Sequence, residues 1–161
     1  MIAICNASPL INLAWLGRLD LLHQLYTATI IPEAVRQEVL VAGQGKPGAA
    51  EVAAADWLTF ASAQNRTLLR ALSQDLDLGE AEVIALALEH PADIVIMDER
   101  LGRQTAAYFG LRCIGTIGIL VAAKRQGFIP AIRPDLERLK YQQGYYISER
   151  LYDRVLADAG E

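Results

Sequence analysis

LGEAEVIALALEHPADIVIMDERLGR, from Leu78 to Arg103, decides how the rest of the chain is read. It divides into a helix, a turn marked by Pro91, a short strand and the start of a second helix. Ile94, Val95, Ile96 and Met97 are apolar on both faces, as in a parallel strand covered by helices on each side. Asp98 follows where such a strand hands over to its loop, and in open α/β sheets ligands bind at that carboxyl edge. Gly79 and Glu80 open the preceding helix. Glu80 shares a side with Ile84, Ala87 and Leu88 and is expected to point inward, whereas Glu82 and Glu89 fall on another stripe and are expected to face water. An inward carboxylate and a second one at a strand tip are the first indication of chemistry.

The totals narrow the class. A chain of 161 residues, 53% of them apolar, can bury a real core and fits one domain over residues 1–161, with 133–161 a C-terminal helical extension packed on it. Charged residues are too interspersed for a membrane span. The apolar N-terminus lacks a basic leader and is interrupted by Asn6, Ser8, Pro9 and Asn12, so it reads as a first strand and helix rather than a signal peptide, which favours the cytosol. Cys5 and Cys113 lie in apolar strand-like runs and read as buried free thiols. His23 and His90 have no second His or Cys at ligand spacing, which argues against a zinc site. With 15 basic and 19 acidic residues the net charge is −4. That opposes a protein holding nucleic acid by bulk positive charge, but not an enzyme with an acidic metal site that grips a few phosphates locally.

Outward from the central stretch, strands alternate with helices. Ile2 to Cys5 is an apolar strand ended by Asn6. Ser8 and Pro9 read as an N-cap and first helical residue, and Gly17 as the stop. Thr27 to Ile31 is a second strand, with Pro32 expected to start the next helix, which runs to about Ala42. There Ala34, Val35, Val41 and Ala42 make an apolar stripe with Glu38 in its middle, so Glu38 calls for a cationic partner, a metal or a local water pocket, against the plainer reading that it reaches an ordinary salt bridge or the helix edge. GQGKPG (Gly43 to Gly48) spells a dinucleotide fingerprint, but it follows a helix and carries Pro47 where a phosphate would want an N–H. It reads as a flexible loop, so no dinucleotide is expected. Trp57 to Phe60 is a third strand, Leu111 to Ile114 the last, and Ser148 caps a terminal helix. The alternation implies an α/β fold with a parallel sheet and right-handed crossovers.

Asn6 therefore ends the first strand, Glu38 lies on the helix after the second, Glu80 begins the helix before the fourth, and Asp98 ends the fourth. If the first and fourth strands are neighbours, their tips share one crevice. Three carboxylates and an amide oxygen make an all-oxygen site suited to Mg²⁺ or Mn²⁺, an ion that can activate water and offset charge on a phosphate under attack. Each residue also has a structural reading. Asn6 closes a turn, Glu80 complements a helix N-terminus, Asp98 caps a helix, and Ser8 and Thr116 are caps.

NASPLI (Asn6 to Ile11), IPEAVRQEV (Ile31 to Val39), LGEAEVIALALE (Leu78 to Glu89), IVIMDERLGR (Ile94 to Arg103), GTIGILVAAKRQGFI (Gly115 to Ile129) and GYYISERL (Gly144 to Leu151), in this order, resemble a PIN domain. The resemblance is to the VapC-like prokaryotic branch and covers nearly the whole chain. It implies a three-layer α/β/α domain with a five-stranded parallel sheet in the order 3-2-1-4-5. It also implies a Mg²⁺- or Mn²⁺-dependent single-strand endoribonuclease, often the toxin of a toxin–antitoxin pair, with an antitoxin protein and a homodimer as partners. By position Glu38, Glu80 and Asp98 match the second, third and fourth acidic ligands. Asn6 stands where most active members carry aspartate, and Ser8 matches the small hydroxyl residue beside it. A neutral amide weakens attraction for a divalent ion. Ser8, Arg100, Arg103 and Thr116 are the candidates for substrate contact, Arg100 or Arg103 by steadying an RNA phosphate, against a solvated helix face for either arginine. The competing functions are a PIN-like RNA- or protein-binding module that has lost catalysis and, resting on GQGKPG alone, a nucleotide-binding regulator.

Overall fold

The central strands form where the chain is apolar on both faces. The computed structural model describes residues 1–161, with strands β1 (Ile2–Cys5), β2 (Ala28–Pro32), β3 (Leu58–Ala61), β4 (Ile94–Ile96) and β5 (Cys113–Ile114). Ile4, Cys5 and Ile96 are fully enclosed. The five strands pair only in parallel, in the order β3-β2-β1-β4-β5 expected from the resemblance. The register Ala3↔Ile94, Ile4↔Val95, Cys5↔Ile96 sets the ends of β1 and β4 side by side. The Asn6 N–H continues that ladder, donating to the Ile96 carbonyl at 2.9 Å.

Ten helices flank the sheet: α1 (Ala7–Leu16), α2 (Asp20–Leu25), α3 (Glu33–Arg36), α4 (Ala49–Ala54), α5 (Arg66–Leu72), α6 (Leu78–Glu89), α7 (Arg100–Tyr108), α8 (Thr116–Arg125), α9 (Arg133–Tyr141) and α10 (Glu149–Asp158). α6 lies against β1, β2 and β4 and touches α3, α5 and α7. It is buried at every position from Gly79 to Ala87, which makes it a core helix rather than an amphipathic one.

That enclosure corrects the expectation for Glu82, which is buried. Its carboxylate accepts the Ala34 N–H at 2.6 Å and the Ala63 N–H at 3.1 Å, tying the chain just beyond β2 to the chain just beyond β3. A charge can stay in the core when backbone donors replace water in this way. Glu89 is exposed as expected, yet it makes a similar clamp with the Gln64 and Asn65 N–H groups.

Three further expectations shift. Ser8 does not cap α1: the cap position is Asn6, and Ser8 lies inside the first turn. Pro32 ends β2 in the cap position of α3 rather than opening the helix. The helix carrying Glu38 is regular only to Arg36 and then winds wider, as a π-helical turn over Gln37–Ala42. A stripe drawn with a 3.6-residue period fails beyond that point. Val35 and Val39 stay buried, but Val41 is 58% exposed and Ala42 turns outward with it. Glu38 is exposed too, so it overlooks the sheet edge instead of sitting in an apolar stripe. Gly43 closes the wide turn, because a Cβ there would stand 2.5 Å from the Val39 carbonyl oxygen.

The C-terminal helices join the same core through Leu136, Leu139, Val155 and Leu156. Arg18 pairs with the buried Asp135 at 3.0 Å. Arg138 reaches the Leu16 carbonyl at 3.1 Å and lies over the Trp15 ring. Glu161 closes the far end, accepting from Lys124 and from the Ile132 and Arg133 N–H groups. No helix is long and apolar enough to cross a membrane.

Candidate active site

The carboxyl ends of β1 and β4 open into one crevice, and two short turns fill it with polar groups. At the end of β1, Asn6 keeps an extended backbone (φ −79°, ψ 169°) before the chain enters α1. The turn leaves the side chain 3% exposed between β1 and α6. Its Nδ2 donates to Glu99 Oε2 at 3.3 Å. Its Oδ1 is buried and accepts no hydrogen bond. Since a carboxylate can only accept, the amide must present its NH₂ to Glu99, which fixes the orphaned oxygen on the opposite side.

That oxygen faces the narrow space that a side chain at Gly79 would fill. A Cβ on Gly79 would stand 3.2 Å from Asn6 Oδ1, 3.4 Å from Glu38 Oε2 and 3.3 Å from Val35 Cγ2. The absence of a side chain at Gly79 therefore leaves a space flanked by two oxygens. Next to it, Asp77 and Glu80 form a capping box at the start of α6: Asp77 Oδ1 accepts the Glu80 N–H at 2.8 Å and Glu80 Oε2 accepts the Asp77 N–H at 3.1 Å. The helix-terminus role foreseen for Glu80 is thus present, and its carboxylate lies in the crevice as well.

The local field is acidic. Partial enclosure raises the Glu38 carboxyl above the usual range, and the charges of Asp77 and Glu99 raise it further. Glu80 is raised for the same leading reason, partly offset by its bond from Asp77 and reinforced by Asp77, Glu99 and Glu38. Repulsion of this kind stores affinity for a cation.

Asp98 occupies a different environment. Its Oδ1 accepts the Thr116 N–H at 2.8 Å and the Tyr145 hydroxyl at 2.9 Å, while Oδ2 accepts the Thr116 hydroxyl at 2.6 Å and Asn12 Nδ2 at 3.5 Å. Four donors meet the roughly four lone-pair directions of a carboxylate. Asp98 caps α8 across the crevice rather than α7. Thr116 is fully buried with N–H and hydroxyl both on Asp98, so it holds that residue and presents nothing to solvent. The Tyr145 hydroxyl is raised well above the ordinary tyrosine range by enclosure and by the Asp98 charge.

Of the remaining candidates, Ser8 donates its hydroxyl to Glu99 Oε1. Arg103 donates to the Met97 carbonyl at 3.2 Å. Arg100, Arg103 and Asp98 line an open cavity of about 540 Å³ that runs beside α7, with Arg100 exposed. The structure therefore gathers Asn6, Glu38, Glu80, Asp98 and Ser8 at one sheet edge and puts the two arginines beside it. Four residues escaped the sequence reading: Glu99, Asp77, Asn12 and Tyr145. Asn12 carried a usable signal, lying four residues after Ser8 on the same helical face. Tyr145 lay in the quoted GYYISERL segment, and Glu99 adjoins Asp98, but neither residue type announces its partner.

Could this edge hold a divalent ion? All its donors are hard oxygens, one of them buried and unpartnered beside a glycine void, and this fits Mg²⁺ or Mn²⁺. As the side chains stand, no three His, Cys, Asp or Glu groups close around one point.

Residues 2–161 match the DUF3368 family, described as a PIN domain. The chain belongs to that family. No curated protein sequence matches it. PIN domains are generally nucleases, and nucleases of the family generally use divalent metals. A PIN nuclease domain implies a nucleic acid as substrate.

Proposed function

We propose that the crevice is the site of a Mg²⁺- or Mn²⁺-dependent endoribonuclease that hydrolyses phosphodiesters of single-stranded RNA. The carrying observation is the orphaned, buried Asn6 Oδ1 facing a glycine void among carboxylates whose mutual repulsion a cation would relieve. Asn6, Glu38 and Glu80 would hold the ion, with the Asp98 carboxylate beside them at the end of β4. The ion, when bound, activates water and neutralises charge on the phosphate. Glu38, exposed at the mouth, is placed to take the proton of the attacking water. Arg100 and Arg103 grip a flanking phosphate from the neighbouring cavity, where an arginine fork matches phosphate geometry. This local grip compensates for a net charge of −4. Ser8 orients Glu99 from the β1 side. Through its family resemblance the protein acts as a toxin-like ribonuclease in the cytoplasm, as a homodimer, with an antitoxin protein covering the acidic crevice.

A second reading is favoured by specific observations. Asn6 carries no charge, and Asp98 already has a donor for each lone pair. A PIN-like module that binds RNA or protein without cleaving it has the same fold and the same edge. Cleavage of an end-labelled single-stranded RNA separates the two. Nuclease function predicts product formation with Mn²⁺, none with chelator, and at least about a hundredfold loss in Glu80→Gln. Full-length RNA at every metal concentration, in a protein that still retards the RNA on a gel, selects the binding module.

A further inference from the structure

The neutral Asn6 raises a question that its neighbours answer. Glu99 follows Asp98 in the β4–α7 turn, and each of its carboxylate oxygens takes one donor from the β1–α1 corner: Nδ2 of Asn6 on Oε2 and the Ser8 hydroxyl on Oε1. Glu99 thus decides which end of the Asn6 amide faces Glu99 and which faces the Gly79 void. Without it the two ends of the amide would compete for both environments.

We propose that Glu99 is a member of the cation site, supplying the carboxylate charge that position 6 lacks and holding Asn6 Oδ1 toward the ion. Asn6 and Glu99 form a matched pair of one amide donor and one carboxylate acceptor. An aspartate at position 6 would set a second carboxylate against Glu99, at the position now 3.3 Å from Oε2 where an amide donates. Two bare carboxylates at that separation cannot both stay ionised without a proton or cation between them. So in this chain Asn6 is the residue that Glu99 requires. Glu99 is a positioning residue through Asn6 and a source of charge in its own right. This deepens the crevice reading above and rests on it.

The pairing predicts a charge swap. Mn²⁺ affinity, measured by calorimetry with the full chain, is compared across wild type, Glu38→Gln, Glu99→Gln, Asn6→Asp and the double variant Asn6→Asp with Glu99→Gln. Metal-free melting temperatures serve as the check on folding. In Glu99→Gln the site loses one charge and the amide orientation, and affinity should fall about 10–100-fold, the loss typical of a metal ligand's supporting partner. In the double variant a glutamine at 99 donates to an aspartate at 6, and affinity should return to within about threefold of wild type. Asn6→Asp alone should melt lower than wild type without metal and recover with Mn²⁺. A purely structural role for Glu99 would be worsened, not rescued, by the second substitution.

Wild-type affinity retained in Glu99→Gln, alongside loss in Glu38→Gln, would overturn the role of Glu99 and leave the crevice reading standing. A double variant as weak as Glu99→Gln would also overturn it. If Glu99→Gln fails to fold, Glu99→Asp keeps the charge on a shorter arm: affinity unchanged from wild type would contradict the positioning role, and a fall with rescue at high Mn²⁺ would support it. Wild type that binds no Mn²⁺, or binds it equally in Glu38→Gln, overturns the crevice reading and the role of Glu99 with it.

Discussion

Replacing Gly79 by alanine should separate ion binding from stability. Gly79 is the second residue of α6, and its φ is negative, so alanine meets no backbone strain there. In a helix interior alanine gains up to about 1 kcal/mol over glycine, and less in a first turn. Against this, the new methyl would meet Asn6 Oδ1 at 3.2 Å, Val35 Cγ2 at 3.3 Å and Glu38 Oε2 at 3.4 Å. Those contacts are a few tenths of an ångström inside ordinary separations. Glu38 is exposed and retreats easily; Asn6 is enclosed and tied to Glu99, and does not. The two effects nearly cancel, and the metal-free melting temperature should stay within about 4 °C of wild type, the shift that ~1 kcal/mol gives in a chain of this size. The ion fares differently, because the methyl occupies the space Asn6 Oδ1 faces. Mn²⁺ affinity by calorimetry should fall at least about tenfold. A Gly79→Ala protein that folds normally and binds Mn²⁺ like wild type would refute the placement of the ion beside Asn6.

Other perturbations test other parts of the account. Glu82→Ala strands two buried backbone N–H groups that now sit 2.6 and 3.1 Å from its carboxylate; at roughly 1–3 kcal/mol per orphaned donor, chemical denaturation should show a loss of about 3 kcal/mol, and a loss under ~1 kcal/mol would mean water replaces the clamp. Asp98→Asn keeps shape but offers only one accepting end to the Thr116, Tyr145 and Asn12 donors, so it should unfold about 2 kcal/mol more easily, and a variant as stable as wild type would show those bonds to be dispensable. The metal-free protein should respond to pH with a definite sign. Glu38 and Glu80 have raised folded pKa values, so their contribution is present when protonated and is lost as pH rises through those values. Acidifying from about pH 7 toward the ordinary carboxylate value should therefore stabilise wild type relative to the Glu38→Gln, Glu80→Gln double variant, and parallel melting curves of the two proteins would contradict the repulsion. Glu161, whose carboxyl is lowered by its Lys124 and backbone partners, works oppositely and removes stability only at lower pH.

Much of this arrangement is legible in the sequence. Four-residue apolar runs flanked by turn residues mark β1 and β4, and a strand buried on both faces leaves few alternatives, so the parallel sheet and its carboxyl edge followed from patterning. The strand order came instead from the family resemblance. What patterning misread has a physical cause in each instance. Glu82 was assigned to water because a periodic stripe assumes one wet face, and α6 has none. Glu38 was assigned to a buried stripe because the winding changes at Gln37, and a π-turn leaves no mark in hydrophobic periodicity. Within the site, residue types named Asn6, Glu38, Glu80 and Asp98 as a group. They could not show that Asp98 spends its lone pairs on Thr116, Tyr145 and Asn12, or that Glu99 is the residue facing Asn6. Both facts depend on which loops cross the sheet edge, and no local spacing encodes that.

The most direct test of the central claim is the initial rate of single-stranded RNA cleavage by the wild-type protein as Mn²⁺ is titrated. The account predicts a rate that rises from zero in chelator, saturates with metal, and does so at the concentration where calorimetry shows the crevice filling. RNA left intact while calorimetry shows the crevice full, or a cleavage rate indifferent to metal, would contradict it.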